Sequence, residues 1–144
     1  MAEGMTAPLY TREILRQAAA IPGQARFEEL EGGTELRSPT CGSRVRVTVE
    51  TGDDGRIISV RQAVEACAFG QAAASLMATH AIGRDAEDIR RAVAGIEAWL
   101  GGSEEAADSW PDLGVLAPAQ TRKGRHGAIL LPFRALLAAI EALR

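Results

Sequence analysis

Along the chain, apolar positions first recur with a helical period in "PLYTREILRQAAAIPG", at Leu9, Ile14, Leu15 and Ala18. Thr11 precedes an acidic first turn and Pro22-Gly23 stops the run, so a helix is predicted near residues 9–20. The next stretch, "ARFEELEGGTELRSPTCG", is polar and broken by Gly32-Gly33, which suits a short edge hairpin or one irregular strand. The period then changes to two. In "RVRVTVE", Val45, Val47 and Val49 alternate with arginine or threonine, as in a half-buried strand. "TGDDGR" supplies the turn, with Asp54-Gly55 at its tip, and "IISVRQAVEA" returns as the antiparallel partner.

Beyond Cys67 the pattern becomes helical again. "AFGQAAASLMATHAIG" is small and apolar on all sides and closes at Gly83, as expected of a buried helix. "DAEDIRRAVAGIEAWLGG" begins with Asp85 as N-cap and Glu87 and Asp88 in its first turn, and ends at Gly101-Gly102. A long acidic, then Pro/Gly-punctuated connection with room for one helical turn leads to "HGAILLPFRALLAAIEALR". That segment reads as a last helix with an apolar stripe at Leu136, Leu137, Ile140 and Leu143. Strands within 25–66 followed by helices within 68–143 predict an α+β fold. A small antiparallel sheet of about three strands would carry helices on one face.

The 144 residues fit one domain, 1–144, large enough to bury a core without disulfides. A net charge of −3 argues against a nucleic-acid partner. The basic residues are arginines except Lys123. No stretch approaches the ~20 apolar residues of a membrane span. The N-terminal segment lacks the basic and apolar regions of a secretory signal. A cytoplasmic setting is therefore expected, with thiols reduced rather than joined as a Cys41–Cys67 disulfide.

No nucleotide-binding, hydrolase or metalloprotease motif is present, and the chemistry narrows to two cysteines and two histidines. Cys41 stands in "SPTCGS", where Gly42 lets the backbone bend. Cys67 stands where a strand gives way to a helix, whose free N–H groups favour a thiolate. Either the pair forms a metal or sulfur site, or both are small buried hydrophobes. His80 follows Cys67 by 13 positions, roughly 20 Å along a helix, too far to share an ion with it. His126 begins the last helix and is the better placed imidazole.

The segment "SPTCGSRVRVTVETGDDGRIISVRQAVEACAFGQAAASLMATHAIGRDAEDI" resembles the NifU/IscU-type iron–sulfur cluster assembly scaffolds, which pair a Cys-Gly-Asp corner with a second cysteine heading a helix of small residues. Cys41-Gly42 matches the first motif and Cys67 with "AAAS" the second. "RHGAILLPFRALLAAI" resembles the third segment, an Arg-x-x-Cys before a helix, and the long connection resembles the insertion of the SufU-like subgroup. The chain departs from that pattern in three places. Ser43 stands for the aspartate, the third cysteine falls on Ala128 (or on Gly127 with a one-residue slide), and the chaperone-docking Leu-Pro-Pro-Val-Lys is replaced by "LAPAQTRK".

The resemblance implies a SufE/IscU-like fold and a scaffold rather than an enzyme, with sulfur transfer through Cys67 as the catalytic alternative. It implies a labile iron–sulfur cluster, iron or zinc held by Cys41 and Cys67, with His126 as a third metal ligand. A cysteine desulfurase and apo iron–sulfur proteins are the implied partners. A cluster takes four protein ligands, mostly thiolates, so a homodimer contributing two cysteines per subunit is the other arrangement. A metal-free adaptor or sulfur acceptor of the assembly machinery is the alternative function.

Overall fold

A computed structural model describes residues 10–39 and 42–143. The described chain runs α1 (Arg12–Ala19), β1 (Thr34–Arg37), β2 (Arg44–Thr51), β3 (Ile57–Glu65), α2 (Ala68–Ala81), α3 (Ala86–Leu100) and α4 (Lys123–Glu141), with 3-10 segments at Phe27–Leu30, Glu104–Asp108 and Leu113–Ala119. The three strands form one antiparallel sheet in the order β1-β2-β3. This is the predicted α+β architecture.

Alternation in β2 sets the two faces of the sheet. Val45, Val47 and Val49 are buried against the helices, while Arg44, Arg46 and Thr48 point the other way. The β2–β3 register pairs Val45 with Val64, Val47 with Gln62 and Arg44 with Glu65. The hairpin turns at Gly52–Arg56: the Gly52 N–H donates to Arg56 O at 2.8 Å, and Gly55 takes φ +79°, a conformation a β-carbon would strain. On the outer face Phe27 lies under the Arg44 guanidinium, 3.7 Å from carbon to ring centre. Arg46 donates to Phe27 O at 2.8 Å and to Glu35 Oε1 at 2.8 Å, fastening the Phe27–Leu30 turn to that face.

The outer edge of β3 is closed by two other parts of the chain. Near its middle, Gln62 N–H donates to Gly23 O at 2.9 Å and Ala25 N–H to Gln62 O at 2.8 Å. At its start, Ile57 N–H donates to Arg84 O and Gly83 N–H to Ile57 O, both at 2.8 Å. Gly23 has to be glycine, since a β-carbon there would stand 2.4 Å from Val60 O.

Local signals start the helices where expected. Thr11 Oγ1 accepts from Ile14 N at 3.1 Å to begin α1. Asp85 and Asp88 exchange backbone-to-carboxylate bonds of 2.9 and 3.1 Å at the start of α3. In α1 only Ile14 is buried and Leu15 is exposed, so the predicted stripe is narrower; Leu9 lies outside the described residues. The connection after α3 holds two 3-10 segments where one turn was expected. Trp110 anchors it, fully buried, with Nε1–H donating to Leu76 O at 2.8 Å and its ring edge-on to Phe133.

α4 differs most from its sequence pattern. Burial is continuous from Ala128 to Phe133 and resumes at Ala135, Leu136, Ala139 and Ile140, and Leu143 lies exposed beyond the helix end. A helix packed against α2, α3 and the sheet buries most of its circumference and keeps only a narrow exposed side at Arg134 and Glu141, so a narrow apolar stripe is not its signature.

Candidate functional site

Cys67 follows the end of β3 by two residues and serves as N-cap of α2, with extended φ and ψ of −67° and 172°. Its backbone carbonyl accepts from Gln71 N at 2.9 Å, but its side chain makes no capping bond. The thiol is free and half-buried, beside the unpaired N–H groups of the first helical turn. α2 itself is a helix of alanines with Phe69, Leu76 and Met77 fully enclosed. Its N-terminus is therefore held as firmly as the core.

Cys41 lies outside the described residues. Among the described residues on either side, Arg37 pairs with Arg44, and Ser38 N–H donates to Ser43 O at 2.9 Å. Gly42, with φ +73°, and Ser43 line a surface recess of about 250 Å³ together with Glu65, Ala66 and Cys67. The residue that follows Cys41 and the second cysteine thus share one recess at one end of the sheet.

The Ala128 position is close by. A β-carbon placed on Gly70 would lie 2.7 Å from Ala66 Cβ, 3.2 Å from Ala128 O and 3.4 Å from Ala128 Cβ. α4 therefore crosses the first turn of α2 at Ala128, which is buried. Pro132 has no N–H, so the Ala128 carbonyl lacks its helical partner and faces Gly70 instead. Ala128 is the position on which the ungapped reading of the sequence sets the third cysteine, and Gly127 precedes it.

His126 is two residues earlier on α4, about 200° around the helix from Ala128. Its ring goes the other way: Nε2 lies 2.8 Å from Gln120 O and 3.1 Å from Ala119 O. Both partners are acceptors, so Nε2 carries the hydrogen and donates, closing the end of the Leu113–Ala119 segment. The structure gives His126 this tethering role. His80, at the helix surface as expected, has Nε2 3.3 Å from Asp112 Oδ2.

Around the recess the charges form one ladder on the outer face. Glu35 takes bonds from Arg37 Nε at 2.9 Å and from Arg46 at 2.8 and 3.0 Å. Desolvation pushes its carboxyl up, but the bonds from Arg37 and Arg46 outweigh it and hold the group below its usual range. Glu65 is the residue that sequence reasoning missed. It lines the recess two positions before Cys67, with one contact to Arg44 Nε at 3.3 Å and a side chain 64% exposed. The hairpin register that sets Arg44 opposite Glu65 was the available signal. Among the described residues no three His, Cys, Asp or Glu side chains are grouped to hold a metal.

Residues 10–121 match the NifU-like N-terminal domain family. The chain belongs to that family. Membership puts it with scaffold proteins rather than enzymes. The match stops short of α4, the element in which the third cysteine is missing. Among solved structures the chain is similar to a nitrogen-fixing NifU-like protein (N-terminal) from Brucella abortus, with 29% identity, 92% of each chain covered and a TM-score of 0.76. A hypothetical protein solved at 2.3 Å shares 24% identity over 92% of this chain and 97% of its own, with a TM-score of 0.77. A protein of Fervidobacterium islandicum AW-1, described as a candidate iron–sulfur cluster assembly scaffold for the SUF system, shares the fold. Its identity is 20%, coverage 92% and 96%, and TM-score 0.78. No curated protein matches the sequence. No helix among the described residues is long and apolar enough to cross a membrane.

Proposed function

We propose that the chain is an iron–sulfur cluster assembly scaffold that holds iron or a labile cluster as cargo on Cys41 and Cys67 and passes it to acceptor proteins. The observation that carries this reading is the recess shared by Gly42 and Cys67, within a chain of the NifU-like family. Cys41 is the residue next to Gly42 in the chain, and its thiol is proposed as the second ligand. The donor chemistry fits: the Cys67 side chain is uncapped and part-exposed, and thiolates are the ordinary ligands of iron–sulfur clusters. With Ala128 in the third position, cargo is held by fewer thiolates and released more readily. A cysteine desulfurase as sulfur source, a cytoplasmic setting, and a homodimer pooling its thiolates around one cluster all accord with this role.

The test is anaerobic reconstitution with ferrous iron and sulfide. Thiolate-to-iron absorption should appear, should fade on adding a chelator, and should vanish in Cys41→Ala or Cys67→Ala. A folded wild-type protein that stays colourless would turn the assignment to a metal-free adaptor or sulfur acceptor. The buried methyl of Ala128 is the feature that favours this second reading.

A further inference from the structure

We infer that the outer edge of β1 is a pairing site for the β1 of a second copy of this chain, antiparallel about a two-fold axis at Leu36. Among the described residues, segments of chain close the outer edge of β3, but none closes that of β1, which touches no helix or strand besides β2 and α4. Ser38 N–H donates to Ser43 O, so the pairing groups of Ser38 face β2. Alternation along an antiparallel ladder turns those of Leu36 and Thr34 the same way and those of Glu35 and Arg37 outward. The same phase follows from the far side of the sheet. Gln62 directs its N–H and carbonyl to Gly23 and Ala25, so those of Val47, its neighbour on β2, face Thr34 on β1. The outward groups of Glu35 and Arg37 are bonded to no described residue.

Charge decides what fits on that edge. Only outward residues can bond across it, so a symmetric pairing sets Glu35 on Glu35, Arg37 on Arg37, or Glu35 on Arg37. The first two oppose like charges, which destabilises a strand pair. The third sets Glu35 of each copy against Arg37 of the other and satisfies the outward groups of both. It is an isologous contact, in which each residue meets in the second copy what the second copy meets in the first. Arg37 is 68% exposed and can turn from its own Glu35 to the copy's, while Arg46 keeps Glu35 in place. Leu36 falls on the axis, where its side chain, only partly covered by its own core, meets its counterpart. Charges on a short edge strand ordinarily keep other strands away. Here their alternating signs admit one partner in one register.

The contact is independent of the cargo site. Antiparallel pairing sends the Gly42–Cys67 recess, which lies beyond the Arg37 end of β1, to opposite ends of the joined sheet, so it is separate from any contact that pools thiolates. Sedimentation equilibrium of the full chain, reduced and metal-free, should show a reversible monomer–dimer equilibrium. Arg37→Glu sets like charges together at both symmetric contacts and should weaken the dimer at least about tenfold. Glu35→Arg should do the same. Mixing the two single variants should restore a dimer holding one of each, because opposite signs then meet at every contact. Circular dichroism confirms that each variant folds.

Should Glu35→Arg not fold, Leu36→Cys tests the register in a Cys41→Ala/Cys67→Ala background. The α-carbons of a non-hydrogen-bonded antiparallel pair stand about 4.5 Å apart, within disulfide range. Mild oxidation should therefore give a covalent dimer, whereas Arg37→Cys in the same background faces Glu35 and should stay monomeric. A wild-type chain that is monomeric at every concentration overturns the inference, as does a dimer unmoved by Arg37→Glu. Variants that stay apart when mixed, or equal cross-linking at positions 36 and 37, overturn it as well.

Discussion

Gly70→Ala sets two effects of opposite sign against each other at the contact between α2 and α4. In an exposed helix interior the change stabilises by about 1 kcal/mol, because alanine loses less backbone entropy than glycine. Here the new methyl would stand 2.7 Å from Ala66 Cβ and 3.2 Å from Ala128 O. The first distance is well inside carbon–carbon contact. Neither neighbour is the end of a flexible side chain: Ala66 Cβ rides on backbone and Ala128 O is backbone. The Ala66–Cys67 corner must therefore shift, and α4 must give by a few tenths of an ångström at Ala128. Overpacking of this kind costs typically about 1–3 kcal/mol, so the clash should win by up to about 2 kcal/mol. Each kcal/mol lowers Tm by about 2–4 °C for a domain near this size. Thermal unfolding followed at 222 nm would show the drop. The double variant Ala66→Gly/Gly70→Ala, which removes the nearer contact, should recover part of it. Because Ala66 adjoins Cys67, the single variant should also change the rate of Cys67 labelling by a thiol reagent in the native state. A Gly70→Ala protein more stable than wild type by about 1 kcal/mol would mean that propensity alone decides, and that neither Ala66 nor α4 presses on the first turn of α2.

Ala128→Cys should put a third thiol into the recess region: iron–sulfur absorption should gain intensity and resist chelators longer, and an unchanged chelation rate would show that position 128 does not face the cargo. Asp85 is held below the usual carboxylate range, first by the Asp88 backbone N–H it accepts, helped by Arg56 and Arg91. Its folded pKa is depressed, so its contribution to stability is complete above about pH 4 and is lost as pH falls through the lowered value; Asp85→Asn should flatten that part of the acid limb in urea titrations. Trp110→Phe removes the bond to Leu76 O and part of a fully buried ring, and should cost about 1–3 kcal/mol by chemical denaturation, a loss under about 0.5 kcal/mol being incompatible with its anchoring role.

The elements that local chemistry dictates were legible in the sequence. The valine alternation of β2, the Asp54-Gly55 turn, and Thr11 and Asp85 as N-caps each depend on residues within one turn or one strand of themselves. Cys67 as the residue opening α2 was legible for the same reason. The 3-10 segments between α3 and α4 were not, because such short turns carry no apolar period and are fixed by Trp110 reaching Leu76. The direction of His126 was hidden too. It depends on the phase of α4, and that phase is set by Ala128 meeting Gly70, a contact between positions distant in sequence. Glu65 was overlooked because a lone glutamate near a strand end has no signature until the hairpin register sets it across from Arg44.

The closed edge of β3 also bears on the order in which the molecule assembles. The strand cannot take its final partners until Gly23–Ala25, which trails α1, and Gly83-Arg84, which follows α2, have both arrived. A hairpin formed early from β2 and β3 would keep one row of pairing groups open to other chains, the hazard of any bare strand edge. Docking of the two segments removes that hazard and makes the edge a latch joining early and late parts of the fold. The amide hydrogens of Gln62 and Ile57 should then exchange only on global unfolding, together with the core of α2. Exchange of Gln62 on the faster timescale of the loops would mean that the latch opens by itself, leaving the strand that leads to Cys67 momentarily free at its edge.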